Sequence, residues 1–298
     1  MTNPSAVAPC MDTHAVDLGF TELTRLQMVV LGFVQGITEL LPISSTAHLR
    51  VIPGMLGWRD PGSAFSATMQ LASFIAVVTY FWSDIRTVAG SSLSALARRD
   101  YRSQDFRLVF GIIIGTLPLI VAGALLRSIL NGCRTPLRGL IVIGVASIAM
   151  SVLLAIAERA AQHTRSFSQL TLSDGAWVGL AQALALIPGV SRSGATLTAA
   201  LFRGMERETA ARFSFLLGLP AITLAGFYEL HVLAKAGLDS HGWITLLIGL
   251  MAASVTAFLA IYGLLHYLEK RSTWIFVWYR FIFGVALVVG VLGGWLRN

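Results

Sequence analysis

Charge is scarce in this sequence. Asp, Glu, Lys and Arg make up 12% of its 298 residues, against about 25% in an average soluble domain, and the deficit excludes an ordinary water-soluble globule. Cysteine is scarcer still. Cys10 and Cys133 are the only two; they lack metal-ligand spacing and cannot build a disulfide framework. The basic residues form no stripe, so the net charge of +7 does not describe a nucleic-acid-binding face. Scattered through short loops between apolar runs, Lys and Arg report orientation and contact with anionic headgroups. The first 22 residues are polar and mixed, with neither a basic n-region nor an apolar h-region, so no cleaved signal peptide is expected.

Long uncharged runs are what the chain has in abundance. Ala64–Ser83, Leu108–Leu126, Gly139–Ala157 and Trp243–Leu265 carry no charge, and a span needs roughly 20 such residues. Phe213–Tyr228 and Phe281–Leu296 are shorter and extend at their ends. The expected fold is therefore an all-α polytopic membrane protein, one membrane domain over 1–298, with six ordinary spans.

Two further apolar segments, Leu26–Leu49 and Ala176–Phe202, are broken. Each has a proline near its middle, Pro42 or Pro188, followed by a Ser/Thr/Gly cluster, and each holds charge at bilayer depth. Proline removes a helical hydrogen bond and clashes with the preceding turn, and unpaired backbone is tolerated in a membrane only where protein or a wet cavity surrounds it. Both segments read as re-entrant helix hairpins. They also correspond: Gln35 and Gln182 are 147 residues apart, as are Ser44 and Ser191, and Phe65-Ser66 matches Phe213-Ser214 at nearly the same offset. A duplication with halves at about 23–157 and 175–296 follows. Three spans per half would invert the second half. With the N-terminus outside, the 84–107, 158–174 and 203–212 stretches and the Lys270-Arg271 turn lie inside and hold 12 of the 22 Lys and Arg residues, the sense the positive-inside rule requires.

Two half-helices entering from opposite faces would present their free N–H groups and positive dipole ends to one spot. Ser44-Ser45-Thr46 begins one and Ser191-Arg192-Ser193-Gly194 the other, an anion site for which phosphate is the natural ligand. Glu39 lies in an otherwise apolar run, where charge is costly and usually functional. Gln35 shares its helix face at i−4, and two oxygen donors on one face suit a hard divalent cation such as Mg2+ or Ca2+. His48 follows Ser44 and Ser45 by four and three residues, within reach to activate a hydroxyl. Arg192, between two serines and deep in its segment, suits bidentate phosphate binding.

QGITELLPISSTAHL at 35–49 and ALIPGVSRSGATL at 185–197 resemble the two signature regions of the undecaprenyl-pyrophosphate phosphatases, the bacitracin-resistance family. FSATMQLASFIAVVTYFW, RFSFLLGLPAITLAGF and FVWYRFIFGVALVV are similar to that family too. The resemblance implies a membrane hydrolase that converts undecaprenyl diphosphate to the monophosphate and inorganic phosphate. Such an enzyme recycles the lipid carrier for peptidoglycan synthesis. It also implies bacitracin resistance, since bacitracin competes by sequestering the substrate. The implied location is a bacterial inner membrane, multi-pass, with the site on the periplasmic side and a homodimer allowed. By motif position Gln35 and Glu39 would be the metal-associated pair, and Ser45 and His48 the nucleophile and its activating partner. Arg192 would bind the diphosphate, and Ser44, Thr46, Ser191, Ser193 and Gly194 would line the site. The chain departs from the pattern at Gln35, often Glu in the family, and at Ala47 and Ser66. Whether serine, histidine or water attacks is left open.

A lipid transporter or flippase is the competing reading, because inverted repeats with broken helices are a transporter pattern; the Ser45, His48 and Arg192 set argues for chemistry. The haloperoxidase-like lipid phosphatases are excluded by missing motifs, with Thr198 where their histidine would fall. An intramembrane serine protease would not need Arg192 and two converging helix starts.

Overall fold

The computed structural model describes residues 18–126, 137 and 139–296. Cys10 and Cys133, the start of the chain, and the basic positions 127, 134, 138 and 297 lie outside the described residues.

The first half opens with α1 (Arg25–Leu40), begun by a capping box in which Thr24 and Gln27 exchange side-chain and backbone bonds. After a turn at Pro42 comes α2 (Ser45–Met55). The first span is α3 (Ser63–Thr68) continued by α4 (Gln70–Tyr80), and it leads through Phe81 into α5 (Trp82–Ala97). Then come α6 (Gln104–Leu125) and α7 (Leu140–Ala160). The second half repeats the plan with α8 (Leu172–Ala183), also begun by a capping box, Thr171 with Asp174. A turn at Pro188 precedes α9 (Arg192–Phe202), followed by α10 (Arg207–Lys235), α11 (Ser240–Lys270) and α12 (Trp274–Leu292).

Among the described residues six stretches are long and apolar enough to cross a membrane: 63–80, 104–125, 140–160, 207–235, 240–270 and 274–292. They coincide with the six expected runs, the last beginning seven residues earlier than Phe281. The four broken pieces are not spans. At 1.5 Å per residue the 16 residues of α1 reach about 24 Å, short of the roughly 30 Å hydrocarbon core. Large apolar side chains such as Leu117, Val121, Val152, Val255, Leu259 and Ile282 are exposed along the spans, as a lipid-facing belt requires. The 84–107 stretch, expected as a loop, holds α5; Asp84 in its first turn pairs with Arg212 of α10 at 2.7 Å.

Packing is reciprocal between the halves. α1 lies chiefly against α11, α8 against α6, α7 against α12, and α3 against α10, while α4 packs against both α11 and α10. Small residues let the first three pairs approach closely: a Cβ at Gly32 or Gly36 would strike α11, one at Gly175 or Gly179 would strike α6, and one at Gly144 would strike α12.

One face is laced by ion pairs. Buried Glu158 accepts from Arg207 Nε at 2.8 Å and from Thr273 Oγ1 at 2.8 Å. Fully buried Asp174 accepts from Arg165 and Arg203 at 2.6–2.9 Å. With Asp84–Arg212, these pairs join the 84–107, 158–174 and 203–212 stretches and the segment after Lys270-Arg271, so all four share one face. Glu22 and Arg59, 3.6 Å apart, lie where the 63–80 span begins, and Asp84 lies beyond its end. α1 thus enters from one face and α8, at Asp174, from the other.

Candidate active site

The two proline breaks meet inside the bundle. Ser193 Oγ, on α9, donates to the Glu39 carbonyl at 3.2 Å and the Leu41 carbonyl at 3.0 Å, at the end of α1. Each half-helix starts after a serine with positive φ, Ser44 at 75° and Ser191 at 67°. For a residue bearing a side chain such backbone costs on the order of 1–3 kcal/mol and persists only where its surroundings enforce it. The strain turns each chain sharply and aims the next side chain, Ser45 or Arg192, at the junction.

Glu39 is the centre of the polar contacts. It is 6% exposed. Its Oε1 receives Arg192 NH2 at 3.1 Å; its Oε2 receives Ser45 Oγ at 2.5 Å and Gln35 Nε2 at 3.1 Å. An isolated charge at bilayer depth costs about 3 kcal/mol, so the acid and the guanidinium, one from each half, neutralise each other. Arg192 NH1 is buried and has no hydrogen-bond partner among the described residues. It lies against Gly218 of α10, where a Cβ would overlap it. That leaves a guanidinium edge free to donate.

The remaining expected residues divide. Gln35, Glu39, Ser45, Arg192, Ser193 and, through its backbone turn, Ser44 are brought together. Ser191 Oγ caps α9 by accepting from Gly194 N–H at 3.1 Å, whereas α2 has no side-chain cap. The Thr46 side chain is exposed. Gly194 makes room for Arg280, and Gly189, at φ +94°, turns the chain against the Ile143 backbone. His48 is buried but does not address Ser45. Its Nδ1 lies 2.7 Å from the Ser44 carbonyl, to which it donates, and its Nε2 lies 2.6 Å from the Tyr279 hydroxyl. The ring stacks on Phe283. The partner of the Ser45 hydroxyl in this geometry is Glu39.

Three residues of the site escaped the sequence reading. Tyr279 gives no local signal, since its partner is 231 positions away. Gly218 is one glycine among many. Arg280 did carry a signal, a charge in an apolar run, but without geometry it had no role.

The bacitracin resistance protein BacA family model matches residues 28–286. This chain belongs to that family. Among curated relatives, it is 57% identical over 263 residues to undecaprenyl-diphosphatase 2 of Mesorhizobium japonicum, covering 88% of this chain and all of that protein. It is 50% identical over 286 residues to the undecaprenyl-diphosphatase of Trichormus variabilis, covering 96% of this chain and 89% of the relative. To the undecaprenyl-diphosphatase of Synechococcus elongatus it is 52% identical over 273 residues, 91% and 95% of the two chains. Both proline breaks fall inside the stretch matched to the BacA family, as do Gln35, Glu39, Ser45, His48, Arg192 and Arg280.

Proposed function

We propose that this chain is the membrane hydrolase that removes the terminal phosphate of undecaprenyl diphosphate, the activity for which its relatives are named. One observation carries the reading: a hydroxyl, a carboxylate and a guanidinium, Ser45, Glu39 and Arg192, converge within 2.5–3.1 Å at the starts of two half-helices. The surrounding bundle has a lipid-facing surface. A carrier needs the anion site but not the nucleophile.

In the proposed reaction the diphosphate lies at the junction with its tail among the spans. The free NH1 edge of Arg192 donates to a phosphate oxygen, and the first N–H groups of α2, which no side chain caps, receive the terminal phosphoryl group. Ser45 Oγ attacks the terminal phosphorus while its proton passes to Glu39 Oε2. The bond from that phosphorus to the bridging oxygen breaks and undecaprenyl phosphate leaves. Water then cleaves the phosphoserine, releasing inorganic phosphate and restoring the hydroxyl. Positioning and charge neutralisation supply most of the rate in such transfers. His48, held by the Ser44 carbonyl and Tyr279, keeps the strained turn in place.

The residues also fit a divalent cation. Gln35 Oε1 is buried without a partner among the described residues beside the Glu39 carboxylate, and both are hard oxygen donors. Among the described residues no group of three or more His, Cys, Asp or Glu forms a cage, so Gln35, Glu39 and Ser45 would share the ion with phosphate oxygens. When bound, it would neutralise charge on the transferring phosphoryl group.

We place the ion-paired face, with its excess of Lys and Arg, in the cytoplasm of a bacterial inner membrane and open the junction to the periplasm. Recycling the carrier there would oppose bacitracin, which withholds the same diphosphate. The test is phosphate release from farnesyl or undecaprenyl diphosphate by purified protein in detergent. Release abolished by EDTA and restored by Mg2+ or Ca2+ is expected. Folded protein that releases none with metal present would redirect the reading to a lipid carrier.

A further inference from the structure

Among the described residues Arg280 is the largest fully buried side chain, 1% exposed, and it forms no ion pair. Its guanidinium serves carbonyls instead. NH1 donates to Pro42 at 3.0 Å; NH2 donates to Gly189 and Val190, both at 2.9 Å. Pro42 belongs to the break in the first half, and Gly189 and Val190 to the break in the second. These carbonyls have left their helices, and in a membrane interior each orphaned carbonyl is costly. One planar, forked cation satisfies three of them at once, which a lysine's point charge cannot do.

The base of Arg280 is itself fixed. Its carbonyl receives Ser147 Oγ of α7 at 3.3 Å, and one helical turn on, Gly284 packs directly on the α7 backbone at Gly144. The tip is fixed too, because Gly194 leaves the space that NH1 fills. Arg280 therefore ties both loops to a third-party element, the α7–α12 pair. Ser193 also links the breaks, but it belongs to one of them.

We propose that Arg280 is a positioning residue that sets the distance between the Ser45–Glu39 half of the site and the Arg192 half. It touches neither Ser45 nor Arg192; it holds the turns that aim them. This role rests on the phosphatase reading, and displacement of reacting groups by about 1 Å can cost about a hundredfold in rate.

The test uses purified full-length Arg280→Ala and Arg280→Lys in detergent with two readouts: phosphate release from farnesyl diphosphate, and hydrogen exchange of peptides covering 41–45 and 187–191. In Arg280→Ala we expect kcat to fall about a hundredfold and exchange to rise in both loops together. Guanidinium chloride at non-denaturing concentration should restore both, and sodium chloride at equal ionic strength should restore neither. Arg280→Lys should fold, keep the charge and still lose most of the rate, which covers the case where the alanine variant does not fold. If either variant keeps more than half the wild-type kcat, or if exchange rises in one loop only, or if guanidinium restores nothing in a folded alanine variant, the proposal is overturned. If wild type releases no phosphate while exchange behaves as expected, the phosphatase reading falls and the clamp stands.

Discussion

The two proline breaks are built to one plan and used differently. α2 and α9 are each 11 residues long, start 147 positions apart, and follow a serine at positive φ. At matched positions the first break carries Gln35, Glu39, Ser45 and His48; the second carries Gln182, Leu186, Arg192 and Ala195. The first keeps the acid, the hydroxyl and an uncapped helix start. The second keeps the cation, and its helix start is capped by Ser191. A shared backbone thus aims the residue after each serine at one point, and in the proposed reaction the side chain there separates the attacking group, Ser45, from the binding group, Arg192. Gln182 sharpens the contrast. It is fully buried and, among the described residues, both ends of its amide are unpartnered, whereas Gln35 has its Nε2 on Glu39.

The largest effects should follow from removing the residue each break aims. Ser45→Ala and Arg192→Ala should each lower phosphate release on the order of a thousandfold or more while the detergent-purified protein stays monodisperse. Near-normal turnover in either would dissolve the division of labour. Next come the two glutamines. Gln35→Glu should retain activity and bind the divalent ion more tightly, read as a higher EDTA concentration for half-inhibition. Gln182→Leu should leave turnover within about twofold and raise thermal stability, because a buried amide without partners costs about 1–3 kcal/mol. Equal loss in both would mean the breaks are chemically equivalent. The smallest effect concerns the caps. Ser191→Ala should cost about 1 kcal/mol of stability, and Ser44→Ala, which removes no cap bond, should cost less in the same melting assay.

Much of this was legible in the sequence because its causes are local. Uncharged runs gave the six spans, Pro42 and Pro188 the breaks, and the spacing of Gln35 and Glu39 their common face. The charge of Arg192 in an apolar segment pointed to a phosphate site; its pairing with Glu39 across the halves was not announced by any local pattern. What was not legible depends on distant contacts. His48 sits at helical spacing from Ser45, but its Nδ1 goes to the Ser44 carbonyl and its Nε2 to Tyr279. No pattern within 35–49 encodes that choice. The 84–107 stretch looked like a charged loop because Asp84 and Arg86 interrupt it; its helix is supported by the pairing of Asp84 with Arg212, 128 positions on. Arg280 satisfies carbonyls rather than a charge, so no complementary residue in the sequence announced its partners.

The central claim is that Glu39 from one half and Arg192 from the other act as one unit. A double-mutant cycle on phosphate release tests it most directly: Glu39→Gln, Arg192→Ala and the double variant, each at saturating farnesyl diphosphate with metal present. Groups that act together give strongly non-additive losses. The expected result is a double variant at least about tenfold more active than the product of the two single losses, a coupling of about 1.4 kcal/mol. Losses that multiply to within about twofold would show two independent contributions and contradict a site shared between the halves.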